Sequence, residues 1–145
     1  MPDPASSQDP ALEPGLEATV RVTVEEDMTA ARVGSGTVGV LATPQIVALA
    51  ERAAVAALEG RLPDGTTSVG TSVSLDHLAP TPVGADVDAT ARLDTVDGRR
   101  LHFSFAVRDP AGDVARGRHV RVLVDRSSFE ETARARIAPR GAATT

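Results

Sequence analysis

The sequence predicts an α+β domain in which a five-stranded antiparallel sheet wraps one long inner helix. Three observations carry that reading. One alternating apolar run precedes a single strong helix signal, and four such runs follow it. The runs after the helix are joined by turns too short for crossover helices. The helix is apolar almost all round, so something must cover it.

The elements follow in chain order. Residues 1 to 15 are proline-rich and without periodicity, which reads as a flexible arm. Val20, Val22 and Val24 then alternate with Arg21 and Thr23, the pattern of a half-buried strand. The stretch VGSGTVGVLA is a small-residue loop leading into the helix. Thr43 stands as N-cap with Pro44 at the first helical position, and QIVALAERAAVAALE runs to a stop at Gly60. Ile46, Leu49, Ala50, Ala53, Ala57 and Leu58 form one stripe, while Val47, Ala48, Ala54 and Val55 make the other side apolar too.

Everything after Gly65 reads as strand. Val69, Thr71, Val73 and Leu75 alternate up to His77, and Pro80 and Pro82 end the run. Val87, Ala89, Ala91 and Leu93 alternate as far as the Asp97-Gly98 hairpin signal. Leu101, Phe103, Phe105 and Val107 follow, then a turn at 109–113, then a strand with Val120, Val122 and Val124 on one face. Residues 16 to 130 make one domain, and 131 to 145 read as a second loose tail.

Composition narrows the function. A chain of 145 residues with 41% hydrophobic content can enclose one core. No apolar run is long enough for a membrane span, and the N-terminus has neither the basic start nor the apolar core of a secretory signal. The absence of cysteine excludes disulfides and thiolate metal sites. A net charge of −5 and only three aromatic residues, all Phe, argue against nucleic acid. A cytoplasmic protein without membrane or nucleic-acid partners is the expectation.

Few residues can carry chemistry. Glu51 has Val47, Ala48, Ala54 and Val55 at helical spacing, and a carboxylate so placed is costly unless it has a task. It could serve as base or nucleophile; the alternative puts it at the edge of a solvent stripe marked by Arg52. Thr43 reads as an ordinary helix cap, or as part of a helix start whose amides and positive end hold an oxyanion. His77 closes a strand at a cleft mouth, or is an ordinary surface histidine. His102 is expected in solvent and His119 on an exposed edge beside Arg118 and Arg121. No spacing of His, Asp and Glu resembles a metal site, and Gly34, Gly36 and Gly39 form no dinucleotide fingerprint.

Thr43 and Glu51 are eight residues apart, hence roughly 12 Å along one helix. One carbonyl cannot touch both. Two copies of the helix packed antiparallel across a twofold axis would bring one copy's start to the other's Glu51, so a homodimer sharing its site is expected.

The segments LATPQIVALAE, GTSVSLDH, APTPVGADVDATARLDTVDGRRLHFSFAVRD and GDVARGRHVRVLV resemble the hotdog-fold thioesterases, and within them the fluoroacetyl-CoA thioesterase-like group. The resemblance covers about residues 16 to 130. Pro82-x-Gly84, Gly98-Arg99 and Gly117-x-His119-x-Arg121 are moderately specific for the fold, and Thr43 with Glu51 and His77 for the group. The resemblance implies hydrolysis of a small acyl-CoA thioester, with Thr43, Glu51 and His77 catalytic. It implies that Gly70 lines the acyl pocket and that Arg121 lies near the CoA entrance. No cofactor is implied beyond the coenzyme A of the substrate, and the assembly is a homodimer or a dimer of dimers. The group's fluoroacetyl-specific enzyme carries a Phe-rich lid before its central helix. The corresponding MTAARVGSGTVGV here has no aromatic, so a more open pocket and a broader or different acyl preference are expected. Rival readings on the same elements are a non-catalytic acyl-CoA-binding module, a hydratase or dehydratase, and a domain serving only dimerisation.

Overall fold

A computed structural model describes residues 12–139. Strand β1 (Glu17–Thr23) leads through a short 3-10 turn (Glu26–Met28) and a one-turn helix α1 (Ala30–Val33) to the long helix α2 (Thr43–Ala57). Four strands follow, β2 (Thr66–His77), β3 (Asp86–Asp97), β4 (Arg100–Asp109) and β5 (Gly112–Asp125), and helix α3 (Arg126–Ile137) closes the described chain.

The sheet runs β1-β3-β4-β5-β2, with every neighbouring pair antiparallel. The β3–β4 hairpin turns at Gly98 and Arg99, and Gly98 supplies the left-handed φ of 62° that the tight turn needs. Helix α2 lies on the inner face, mainly over β1 and β3. Its stripe Ile46, Leu49, Ala50, Ala53 and Ala57 is buried against Val87, Ala89, Ala91 and Leu93 of β3 and Leu101, Phe103, Phe105 and Val107 of β4. Burying each of the larger side chains among these contributes about 1.5–3 kcal/mol. Small alanines let the helix approach the sheet closely. No helix among the described residues is long and apolar enough to cross a membrane.

Three expectations need correction. Helix α2 is not covered all round: Val55 is 50% exposed, and Ala48 and Arg52 are exposed beside it. The single chain covers the helix with the sheet alone and leaves the far side bare. Strand β2 is not one uninterrupted alternation, because its register against β5 shifts between Gly70 and Ser72. A bulge of this kind moves the residues before it to the opposite face from those after it. Val120, Val122 and Val124 share one face of β5 as expected, and the opposite, inner face carries His119 and Arg121. The expected C-terminal tail begins as α3, capped by Asp125, whose side chain accepts from the Ser128 amide at 2.9 Å. That helix buries no residue, so it has no apolar stripe to betray it. The expected N-terminal arm lies mostly outside the described residues, yet Leu12 packs on the core and the Gly15 amide donates to Leu93 at 2.7 Å.

Candidate active site

The start of α2 is set one residue earlier than the Thr-Pro pair suggests. Ala42 is the N-cap, with no side-chain cap hydrogen bond, and Thr43 is the first helical residue. The amides of Gln45 and Ile46 both reach the Ala42 carbonyl, and Pro44 has no N–H. Among the described residues no backbone carbonyl takes the Thr43 amide, so one donor stays free at this end. The Thr43 hydroxyl, freed from capping, bonds Nδ1 of His77 at 2.8 Å.

His77 stands at the end of β2, opposite Ala115 of β5, on the inner face. With Nδ1 engaged by Thr43, its Nε2 is buried and has no hydrogen-bond partner among the described residues. Buried polar atoms are seldom left so, and each exception asks for an explanation. Thr43 and His77 thus form one unit, joined across 34 residues of chain.

Glu51 belongs to a second unit. Its side chain is 42% exposed, and its Oε2 lies 3.9 Å from Nη1 of Arg121, whose own side chain is 8% exposed. Gly70 makes room for the carboxylate: a Cβ there would stand 2.6 Å from Oε2 of Glu51. Arg121 is held from below, its Nε donating to the Ser68 hydroxyl at 2.7 Å and its Nη2 to the Ser68 carbonyl at 3.0 Å. Its Nη1 donates to Nε2 of His119 at 3.1 Å. Arginine has donors only, so Nε2 of His119 must accept; its Nδ1–H therefore donates to the Ser72 carbonyl at 2.9 Å.

Burial pushes the His119 pKa below the usual imidazole range, and the Arg121 charge adds to this, against the Ser72 carbonyl and Glu51. The ring is held neutral. Burial also lowers the pKa of Arg121, with Glu51 opposing, but a guanidinium stays charged at any physiological pH.

Glu51, Ser68 and Arg121 line a cleft of about 790 Å³, walled on the helix side by Val55 and on the other by Leu62 and Thr66. Thr43 and His77 do not line it. Among the described residues no hydrogen bond joins Glu51 to Thr43 or His77. The five residues singled out from sequence therefore fall into two groups within one chain: Thr43 with His77, and Glu51 with Gly70 and Arg121.

One placement differs from expectation. His119 is 1% exposed rather than on an open edge, because β5 lies between β4 and β2 and this residue faces inward. His102 is half-buried. Sequence reasoning missed Ser68 and the part of His119. The signal for His119 was present: the x-His119-x-Arg121 spacing puts both residues on one face of a strand.

Comparison with known proteins agrees with this architecture. Residues 24–127 match the family model described as fluoroacetyl-CoA-specific thioesterase. The fluoroacetyl-CoA thioesterase of Streptantibioticus cattleyicolor is 36% identical over 95 residues, 66% of this chain and 68% of that protein. A variant of the fluoroacetyl-CoA thioesterase solved with acetyl-CoA superposes with a TM-score of 0.83 at 28% identity, over 87% of this chain and 99% of that one. A hot-dog-like protein from Thermanaerovibrio acidaminovorans superposes at 0.82 and 27% identity, over 90% of this chain and 97% of that one. The sheet wrapped around α2 is thus a hotdog fold, as its sequence led one to expect. The chain belongs to the fluoroacetyl-CoA-specific thioesterase family, and it is an acyl-CoA thioesterase.

Proposed function

We propose that the enzyme cleaves a small acyl-CoA at a site shared by two copies, each pairing its own Glu51 with the other's Thr43 and His77. The observation that carries this reading is the 2.8 Å bond between Thr43 and His77, which leaves Nε2 of His77 buried and unpartnered. An imidazole aimed by one nitrogen and idle at the other is prepared for proton transfer.

In this reading Glu51 takes a proton from water, and the hydroxide adds to the thioester carbonyl. The resulting oxyanion is held by the free Thr43 amide, helped by the positive end of α2. Gly70 lines the acyl group. The tetrahedral adduct then collapses, the C–S bond breaks with its electron pair on sulfur, and the proton that Glu51 took from water passes through His77 to the sulfur, releasing coenzyme A as thiol and restoring the Glu51 carboxylate. Direct attack by Glu51, giving an anhydride that water opens, uses the same residues. No cofactor beyond the coenzyme A of the substrate enters.

The homodimer is supported by three features. Eight residues of helix separate Thr43 from Glu51, roughly 12 Å. Ala48 and Val55 leave an apolar helix face bare beside Glu51. Strand β2 is long, at the sheet's edge, and has one side unpaired among the described residues.

The relative from Streptantibioticus cattleyicolor is a fluoroacetyl-CoA thioesterase. Residues 24–42 here carry no aromatic side chain to gate the pocket, which supports a broader or different acyl preference. Thiol release from short, branched and aromatic acyl-CoAs, fluoroacetyl-CoA and acetyl-CoA included, tests both parts. Glu51→Gln should lower turnover by about 10² or more while keeping the shape. Unchanged turnover would remove Glu51 from the reaction, and a large preference for fluoroacetyl-CoA over acetyl-CoA would defeat the reading of the pocket.

A further inference from the structure

We propose that His119 is a positioning residue which holds the Arg121 guanidinium beside Glu51 without letting it close on that carboxylate. The inference rests on the reading of Glu51 as the reacting group, and adds a residue that neither the motif nor the comparisons assign.

The geometry on both sides of His119 is fixed. Its ring lies 6.2 Å from the Phe103 ring at an interplanar angle of 32°, and Nδ1–H is tied to the Ser72 carbonyl at 2.9 Å. The ring cannot turn without breaking this partly buried hydrogen bond. Nε2 therefore presents its lone pair in one direction, toward Nη1 of Arg121 at 3.1 Å. Ser68 takes the other edge of the same guanidinium through its hydroxyl and its carbonyl. Arg121 is gripped by three acceptors, and none of them is Glu51.

That last point is the informative one. Nη1 of Arg121 and Oε2 of Glu51 are 3.9 Å apart, outside the range of about 2.7–3.2 Å in which an N–H donates to oxygen. Arginine beside a carboxylate ordinarily clasps it with short, charge-assisted bonds, commonly two in parallel. A carboxylate so clasped has its lone pairs occupied and is a poor base and a poor nucleophile. Here His119 takes one of the two N–H groups of the nitrogen nearest Glu51 and so anchors that nitrogen short of the carboxylate. The positive charge stays close to Glu51, while the oxygen stays free to take a proton or attack. Gly70 keeps the oxygen's place clear, since any side chain there would occupy it.

The two bonds of His119 are separable by substitution. His119→Asn keeps a short amide that can still reach Ser72 but leaves no acceptor for Arg121. His119→Gln brings an acceptor out to Arg121. Both variants, with Glu51→Gln as reference, are assayed for kcat and KM with acetyl-CoA, melted thermally, and crystallised. The expected result is a kcat loss of about tenfold or more in a folded His119→Asn protein, because a displaced group near the reacting atoms costs this much or more. KM should change by less than about threefold, and Nη1 should lie within hydrogen-bond distance of Glu51 in the crystal. His119→Gln should recover most of the turnover.

A merely structural role reverses the order, with the Asn variant the better of the two. That order, equal losses in both, or an unchanged Arg121–Glu51 gap in the Asn variant would overturn the proposal. Should His119→Asn fail to fold, His119→Gln decides alone: retained turnover supports the proposal, and a tenfold loss in folded protein refutes it. If Glu51→Gln is inactive while His119→Asn works normally, only the inference falls. If Glu51→Gln itself turns over normally, the reading of Glu51 falls first.

Discussion

The hydroxyl of Thr43 and Nδ1 of His77 stand 2.8 Å apart, joining the first residue of α2 to the last residue of β2. Thr43 is exposed and gives its helix no cap, so the bond serves the histidine rather than the helix. Thr43→Ala should therefore cost no more than the net worth of that one hydrogen bond, about 1 kcal/mol of stability. Loss of a hydrogen bond of about 1 kcal/mol that aims the ring should lower kcat by roughly fivefold to tenfold. Thr43→Ser, which keeps the hydroxyl, should retain most of the activity. Steady-state kinetics beside a thermal melt would show it, and a Thr43→Ala protein with full kcat would separate the pair from catalysis.

Gly70 makes a different demand. A Cβ at this position would lie 2.6 Å from Oε2 of Glu51, 3.1 Å from Cε1 of His119 and 3.4 Å from Nη1 of Arg121. The nearest atom ends a flexible side chain that is half open to solvent and yields cheaply, while the His119 ring has to give by a few tenths of an ångström. Gly70→Ala should fold with nearly wild-type stability and lose about tenfold or more in kcat, the cost of moving a reacting group by the order of 1 Å. A stable, fully active Gly70→Ala enzyme would mean that the position of Glu51 does not matter to the reaction.

How far these relations could be read from sequence depends on what carried the signal. The alternations through Val20 and Val22, through Val87 to Leu93 and through Leu101 to Val107 translated directly into strands, because each keeps one face on the core. The register shift between β3 and β4 falls at Asp94, after the run from Val87 to Leu93, and leaves the alternation from Leu101 to Val107 intact. Thr43-Pro44 and Gly60 bracketed α2 within a residue or two. The β2 bulge left no comparable trace: a register shift depends on the partner strand, and Gly70 looks the same before and after it. His119 was misplaced for a related reason. Flanking arginines suggest solvent, yet alternation sends Arg118 outward and turns His119 and Arg121 in. The residues of the candidate site were legible as types. Their division into two groups was not, since it follows from the length of α2 and from which strands it covers.

Acid should weaken the fold through His119. Burial, seconded by Arg121, sets its folded-state pKa below the ordinary value of 6.5 despite the Ser72 carbonyl and Glu51. Between that value and the lower native one the unfolded chain binds more protons, so stability falls as the pH falls through this window. Above 6.5 this group contributes no slope. Melting temperatures measured from about pH 5 to pH 8 should decline on the acid side, and the decline should be shallower in His119→Gln, which has no imidazole to charge. Parallel curves for the two proteins would show that protonation of His119 is not linked to folding.

A site divided between subunits can be rebuilt from two broken enzymes. Glu51→Gln and His77→Ala should each be inactive as homodimers, for every site would lack one member. After the two are unfolded and refolded together in equal amounts, half of the dimers are mixed. In a mixed dimer one site joins the intact Glu51 of one chain to the intact His77 of the other, and the second site carries both defects. Random assortment then predicts about one quarter of wild-type activity per subunit. A site contained within one chain predicts none, since every chain in the mixture lacks an essential group. Thiol release from the mixture, against each variant refolded alone, distinguishes the two arrangements, and activity no higher than the separate variants would confine the reaction to a single subunit.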